Sequence, residues 1–270
     1  PEIRAALLAH YGLDQPLPQQ YLRFFSNMLH GDFGLSFTQK NRAVNDIIRA
    51  HFPVSAALGC LALLFAAAGA IVWGALAARF HRRWPDYLIM TVVVAGISVP
   101  GFVFAALAQI AVLQFNRYTG SQLPLAGWGT LQHMLLPALV LGLGTMAYMT
   151  RLMRSSMLDV QQAHYIRTAR AKGLSPARIF WVHELRNAVL PVFSLLGPAI
   201  AAITTGGFVV ETVFAIPGLG RYFVQAVQQL DYTVIMGTTV FYGSFLVLMV
   251  LLVDLLVGLV DPRIRLQEQH

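Results

Sequence analysis

The sequence predicts an all-α, polytopic membrane protein, and three observations carry that expectation. Hydrophobic residues make up 57% of the 270 positions and charged residues only 11%, whereas a soluble domain carries roughly 25% charged residues. Charge-free runs occupy 54–78, 88–116, 134–150, 187–210 and 232–253, and a helix needs about 20 mostly apolar residues to cross a bilayer. These runs also sort the basic residues. Segments 79–87, 151–186 and 261–270 hold 12 of the 19 Lys and Arg, and 1–53, 117–133 and 211–231 hold the other 7. Short loops rich in Lys and Arg stay in the cytoplasm. The reading is therefore five visible transmembrane helices, with 1–53 outside and 154–186 inside. The net charge of +7 follows this topology rather than one amphipathic face or an arginine-rich tail, which argues against nucleic acid as a partner.

Residues 1–53 form a polar external segment, expected as two short helices around a turn at Gln15-Pro16-Leu17-Pro18, because the prolines disfavour continued helix. His30-Gly31-Asp32-Phe33-Gly34 reads either as a binding loop or as a glycine turn packed on the membrane part. The transmembrane domain then spans 54–270. Cys60, the sole cysteine, has no intrachain disulfide partner and is expected as a small buried residue.

In the second run, Ser98-Val99-Pro100-Gly101 should bend or break the helix near mid-membrane. Such breaks are tolerated where backbone lines a cavity or is buried in protein. Ser98, Pro100 and Gly101 are thus pathway candidates, with kinked packing as the alternative. The run at 134–150 is short, but His133 and the stem of Arg151 can lie at the interfaces. In 187–210, Pro198 and Thr204-Thr205-Gly206-Gly207 suit close helix packing or a polar wall, which makes Thr204 and Thr205 pathway candidates too. Residues 211–231 are too short and polar to cross. Their apolar set, Phe214, Ile216, Leu219, Tyr222, Phe223 and Val227, suggests an external re-entrant or surface segment. Asp254 interrupts the last run. A charge there is a functional candidate by default, or else it reaches the headgroups or pairs with a loop Arg.

The most informative segment is Tyr165-Ile166-Arg167-Thr168-Ala169-Arg170-Ala171-Lys172-Gly173-Leu174-Ser175-Pro176. Gly173 suits a left-handed helix end, Ser175 can cap the next helix, and Pro176 fits its first position because a missing N–H costs nothing there. The pattern is helix, tight turn, helix. Ile179, Phe180 and Val182 then place apolar groups on a short helix that also bears Arg178, His183, Glu184 and Arg186. It is too polar to cross a bilayer and suited to fill a groove on a partner.

This segment resembles the cytoplasmic coupling loop of bacterial ABC-importer permeases in its oligopeptide and dipeptide branch, B-type subunit. That loop's general pattern is Glu-Ala-Ala, three residues, Gly, nine residues, Ile-x-Leu-Pro. Laid on this chain it matches at Ala169, Gly173 and Leu185 and departs at Arg167, Thr168, His183 and Arg186. Arg-Thr-Ala-Arg-Ala-Lys-Gly-Leu is, however, how the peptide branch usually writes the loop. The resemblance extends to His30-Gly31-Asp32-Phe33-Gly34-Leu35-Ser36-Phe37, Ile216-Pro217-Gly218-Leu219-Gly220-Arg221 and Asp261-Pro262-Arg263-Ile264-Arg265, almost the whole chain.

The resemblance implies a pore subunit in a bacterial inner membrane, paired with a second, similar permease. It implies two cytoplasmic ATPases carrying ATP and Mg, an external solute-binding protein, and peptide cargo, with nickel chelates, glutathione or sugars as alternatives. ATPase coupling falls to Arg167, Thr168, Ala169, Lys172, Gly173, Leu174, Ser175, Ile179 and Phe180. Such permeases also carry an N-terminal spanning helix before the external segment. The chain begins at Pro1, so a sixth helix is expected ahead of it.

Other chemistry lacks its residues. No Gly-x-x-x-x-Gly-Lys-Ser/Thr phosphate loop occurs, and the two lysines, Lys40 and Lys172, have no such context. His183-Glu184 lacks the second histidine of a zinc motif, the eight histidines are scattered, and no Gly-x-Ser-x-Gly elbow is present. The chain is expected to be no enzyme and to need no cofactor or metal of its own. An ion-coupled secondary transporter is the rival class. It would use intramembrane carboxylates and inverted repeats, but Asp254 is the one acid inside an apolar run and no repeat is visible.

Overall fold

The computed structural model describes residues 14–260, apart from the side chains at 201, 204–206 and 260. Among the described residues there are helices and no strand, with one isolated bridge between Leu35 and Ala43.

Helix α1 (Leu17–Leu29) starts at the proline pair rather than ending there, since Pro18 occupies the first turn, where its absent N–H is harmless. Helix α2 (Val44–Arg79) has 36 residues, about 54 Å at 1.5 Å per residue, well beyond a bilayer core of about 30 Å. It begins ten residues before the apolar run and passes through Pro53, so the last ten residues of the polar 1–53 segment are continuous with the first apolar run. Helices α3 (Trp84–Ser98) and α4 (Gly101–Thr119) are bent by 110° at the expected break. Helix α5 (Leu131–Gln162) carries the short 134–150 run within 32 residues and continues past Arg151 and Arg154 toward the basic side.

After α6 (His164–Ala171) and its turn, the chain enters α7 (Pro176–Arg178), a π-helical stretch at Ile179–Leu185, α8 (Arg186–Ala188), α9 (Leu190–Ser194), α10 (Leu196–Gly206) and α11 (Phe208–Val213). Val189, Leu195 and Gly207 interrupt it but keep right-handed helical angles. Residues 176–213 therefore make one kinked rod, and the 187–210 run is not a straight span. Pro191 and Pro198 remove N–H donors inside it, which is the usual cause of such kinks. Helices α12 (Leu219–Gln229) and α13 (Tyr232–Val260) complete the fold. Among the described residues three helices, α2, α5 and α13, are long and apolar enough to cross a membrane, and the number is four if the bent α3–α4 pair is one broken span.

The central seam joins α2 to α5. Ala62, Ala66, Ala70, Gly74 and Ala78 recur every four residues along one face of α2, and all are buried. Small residues let the backbones approach closely. A Cβ on Gly142 would stand 2.6 Å from the Ala62 carbonyl oxygen, and one on Gly74 would stand 2.6 Å from Met153 Cβ. Met149, Met153 and Met157 fill the inner half of the seam. Cys60 lies two residues from this face, about 200° around the helix, and is exposed, contrary to the expected buried role. Leucines on α13, among them Leu248, Leu251, Leu255 and Leu259, also face outward.

Candidate functional site

The helix–turn–helix at 164–186 forms a compact knob at the basic end of α5. Gly173 takes φ +76°, and a Cβ there would meet nothing within 4 Å, so the glycine serves the backbone angle rather than packing. Around it the Leu174 N–H donates to the Ala169 carbonyl at 3.3 Å and the Gly173 N–H to the Arg170 carbonyl at 3.0 Å. That bond pair is a Schellman helix end, and Leu174 supplies its apolar contact against Ile166, Ala169 and Ile179. Ser175 Oγ then accepts the Arg178 N–H at 3.4 Å, with Pro176 at the first helical position, as expected.

The knob divides its residues by role. Arg167, Thr168, Lys172, Gly173 and Ser175 are exposed on its outer surface, and Leu174 and Phe180 are half-buried. Ala169 and Ile179 are buried and form its own small core, so Ile179 faces inward rather than toward a partner's groove. Apolar groups that do face outward are Tyr165, Trp181 and Val182. Glu184, which sequence reasoning left without a role, ties the knob together. It is buried, lies 3.5 Å from Arg170 Nη2, and accepts from Gln161 Nε2 on α5 at 3.4 Å.

A second fastening lies beside the knob's base. Arg154 on α5 donates from Nε and Nη2 to the two oxygens of Asp86, each at 2.7 Å. Asp86 also accepts the Arg82 N–H at 3.0 Å, and His81 Nδ1 stands 3.1 Å from Arg154 Nη2. The α2–α3 turn is thereby bolted to α5.

A cavity of about 480 Å³ sits between the α3–α4 break, α5 and the α10–α11 rod. Pro100 and Gly101 line it, together with Leu141 and Gly144 of α5 and Ile203 and Val210 of the rod. Ser98 does not line it. It is exposed, and its Oγ donates back to the Val94 carbonyl at 2.8 Å. Thr204 and Thr205 belong to α10, and their side chains lie outside the described residues. Asp254 is exposed on α13 and forms no ion pair among the described residues. The two helical rods that enter and leave the knob therefore both reach the cavity wall.

On the opposite side, the His30–Phe37 motif is a packed loop rather than an open one. Asp231, between α12 and α13, accepts from Ser36 Oγ, from the Phe37 and Thr38 N–H groups at 3.1 Å each, and from Thr38 Oγ1 at 2.9 Å. Burial pushes its pKa upward, but these donors outweigh burial and hold the carboxyl below its ordinary range. Nearby, Glu211 is buried in α11, where it accepts from Ser55 Oγ at 2.6 Å and from the Arg221 N–H at 2.9 Å. A Cβ at Gly218 would collide with the Glu211 carboxylate and Ser55 Oγ, which explains the glycines of the Ile216–Arg221 motif. His51 Nδ1 donates to the Pro217 carbonyl at 2.9 Å and stacks on Tyr222 at 3.9 Å. Phe214, Ile216 and Leu219 of the apolar set are buried, Tyr222 and Phe223 half-buried and Val227 exposed. The Asp261–Arg265 motif lies outside the described residues.

Comparison with known proteins adds to this geometry. Residues 70–266 match the family described as binding-protein-dependent transport system inner membrane component. The chain is 45% identical over 267 residues to the dipeptide transport system permease protein DppB of Bacillus subtilis (strain 168), covering 99% of this chain and 85% of that protein. It is 42% identical over 268 residues to the oligopeptide transport system permease protein OppB of Haemophilus influenzae, covering 98% of this chain and 86% of that one. Among solved structures, an amino acid ABC transporter superposes with a TM-score of 0.57 at 15% identity, covering 81% of this chain and 94% of that one. That last likeness speaks for the fold alone. The chain belongs to the family of binding-protein-dependent transport system inner membrane components, the permease subunits of bacterial ABC importers.

Proposed function

We propose that this permease conducts peptides, dipeptides or oligopeptides, and that its 164–186 knob couples the pore to ATPase subunits in the cytoplasm. The single observation that carries the coupling half is the continuity of the knob with both α5 and the 176–213 rod, each of which reaches the cavity wall. A push on the knob has two stiff routes to the pathway. The Schellman turn at Gly173 and the Arg170–Glu184–Gln161 contacts favour movement of the knob as one body. The cargo half rests on relatives named for dipeptide and oligopeptide transport at 38–45% identity across almost the whole chain.

In this reading a second permease completes the path, and an external binding protein delivers cargo. ATP with Mg is bound and hydrolysed on the partners, because this sequence has no phosphate loop. Closure of the ATPases on ATP shifts the knobs and opens the cavity outward, and hydrolysis resets it. The test is reconstitution in vesicles. The chain alone should show neither ATP hydrolysis nor peptide uptake, and the full assembly should show both. An assembly that imports sugars or nickel chelates but no peptide overturns the cargo half. Full import after removal of the ATPases overturns the coupling half.

A further inference from the structure

We propose that the turn joining α2 to α3 is a binding site for anionic phospholipid headgroups of the cytoplasmic leaflet. Arg79, Arg82 and Arg83 are all exposed there and form no ion pair among the described residues. The acid that would neutralise them locally, Asp86, is 2% exposed and committed to Arg154 through both oxygens. Three guanidinium groups within five residues are thus left facing outward with their charge uncompensated.

The backbone fixes how they are presented. Arg82 holds a left-handed conformation at φ 61°, unusual for a residue with a side chain. Its N–H is retained by Asp86 at 3.0 Å, and the Arg83 N–H by the Phe80 carbonyl at 2.9 Å. The depth also fits. Arg79 ends a helix whose preceding 25 positions, 54–78, carry no charge, and from 88 onward the next run is charge-free. The turn therefore lies where phosphates begin. Trp84 and Tyr87, 75% and 63% exposed, flank it as the amphipathic rings that favour the interface. Planar guanidinium forks match phosphate oxygens in pairs, which an ammonium cannot do. Lipid is favoured over a protein partner because apolar, outward-facing side chains such as Trp73, Leu88 and Val92 border the turn on the membrane side.

The test uses the full chain in nanodiscs containing phosphatidylcholine with 20% phosphatidylglycerol, and native mass spectrometry to count retained phosphatidylglycerol. Each Arg→Gln change should weaken retention roughly fivefold, the effect of about one basic residue near an anionic surface. The triple R79Q/R82Q/R83Q variant should lose the preference for phosphatidylglycerol. R79K/R82K/R83K should keep part of it, which separates charge from misfolding, and R117Q on the far side should behave as wild type. Soluble glycerol phosphate added in excess should not displace the lipid. Unchanged phosphatidylglycerol selectivity in the triple glutamine variant overturns the proposal. So does equal loss in R117Q, or displacement by glycerol phosphate.

Discussion

Arg154 grips Asp86 through two parallel hydrogen bonds, Nε to Oδ1 and Nη2 to Oδ2, both 2.7 Å long. The pair joins the start of α3 to α5 across 68 residues, close to the base of the 164–186 knob. Asp86→Asn removes the charge that Arg154 needs and should cost roughly 1.5–3 kcal/mol. Arg154→Lys should cost less but still lose the paired geometry. Thermal melting of the purified chain in detergent measures both. Melting midpoints within error of wild type would mean that the pair adds no stability.

Gly173→Val should uncouple ATP hydrolysis from import, because a β-branched residue is poorly suited to φ +76°. Gly173→Asn should be nearly silent, since asparagine visits that region at low cost. No atom lies within 4 Å of a Cβ at this site, so the difference between the two variants reads backbone angle alone. The measured quantity is peptide imported per ATP hydrolysed, with membrane levels matched.

Asp231 makes the outer clasp pH-sensitive. Its folded pKa lies below the ordinary value of about 4, so the stabilisation is fully present above that value and disappears as pH falls through the folded pKa. Asp231→Asn should therefore melt earlier than wild type at pH 7, by about 1–2 kcal/mol. The gap should close below about pH 4. A gap that widens on acidification would give the carboxylate the opposite role.

Gly101→Trp should reduce peptide uptake while leaving ATPase co-purification intact. Gly101 lines the cavity, and a Cβ there would meet nothing within 4 Å, so the indole can enter open space. Loss of the whole complex would show that Gly101 packs against another subunit. Normal uptake in an intact complex would remove it from the pathway.

Some of this molecule was legible because local chemistry decides it. The turn at Gly173, the cap at Ser175 and the bend at Pro100 need only near neighbours, and the structure has all three. The four-residue spacing of Ala62, Ala66, Ala70 and Gly74 was also present in the sequence as a signal, but it stays ambiguous until α5 is placed against it. Asp231 with Ser36, Ser55 with Glu211, and Asp86 with Arg154 are joined across 195, 156 and 68 residues. No local pattern encodes such pairings. The fourth apolar run, 187–210, is helical as expected, but its interruptions at Val189 and Leu195 were not legible, because mean hydropathy ignores what Pro191 and Pro198 do to a helix's hydrogen bonds. The inward turn of Ile179 depends on its packing with Ile166 and Ala169, which lie across the Gly173 turn.

The central claim, that the 164–186 knob transmits ATPase motion to the pore, is tested most directly by placing a photo-crosslinker at Lys172 in the complete, transporting assembly. Lys172 is exposed beside Gly173, and the half-buried Gln39, in the loop between α1 and α2, provides the control. Crosslinks from position 172 to an ATPase subunit, changing in yield when ATP is added and absent from position 39, are the expected result. An assembly that imports cargo while position 172 reaches no ATPase subunit, or while position 39 reaches one equally, contradicts it.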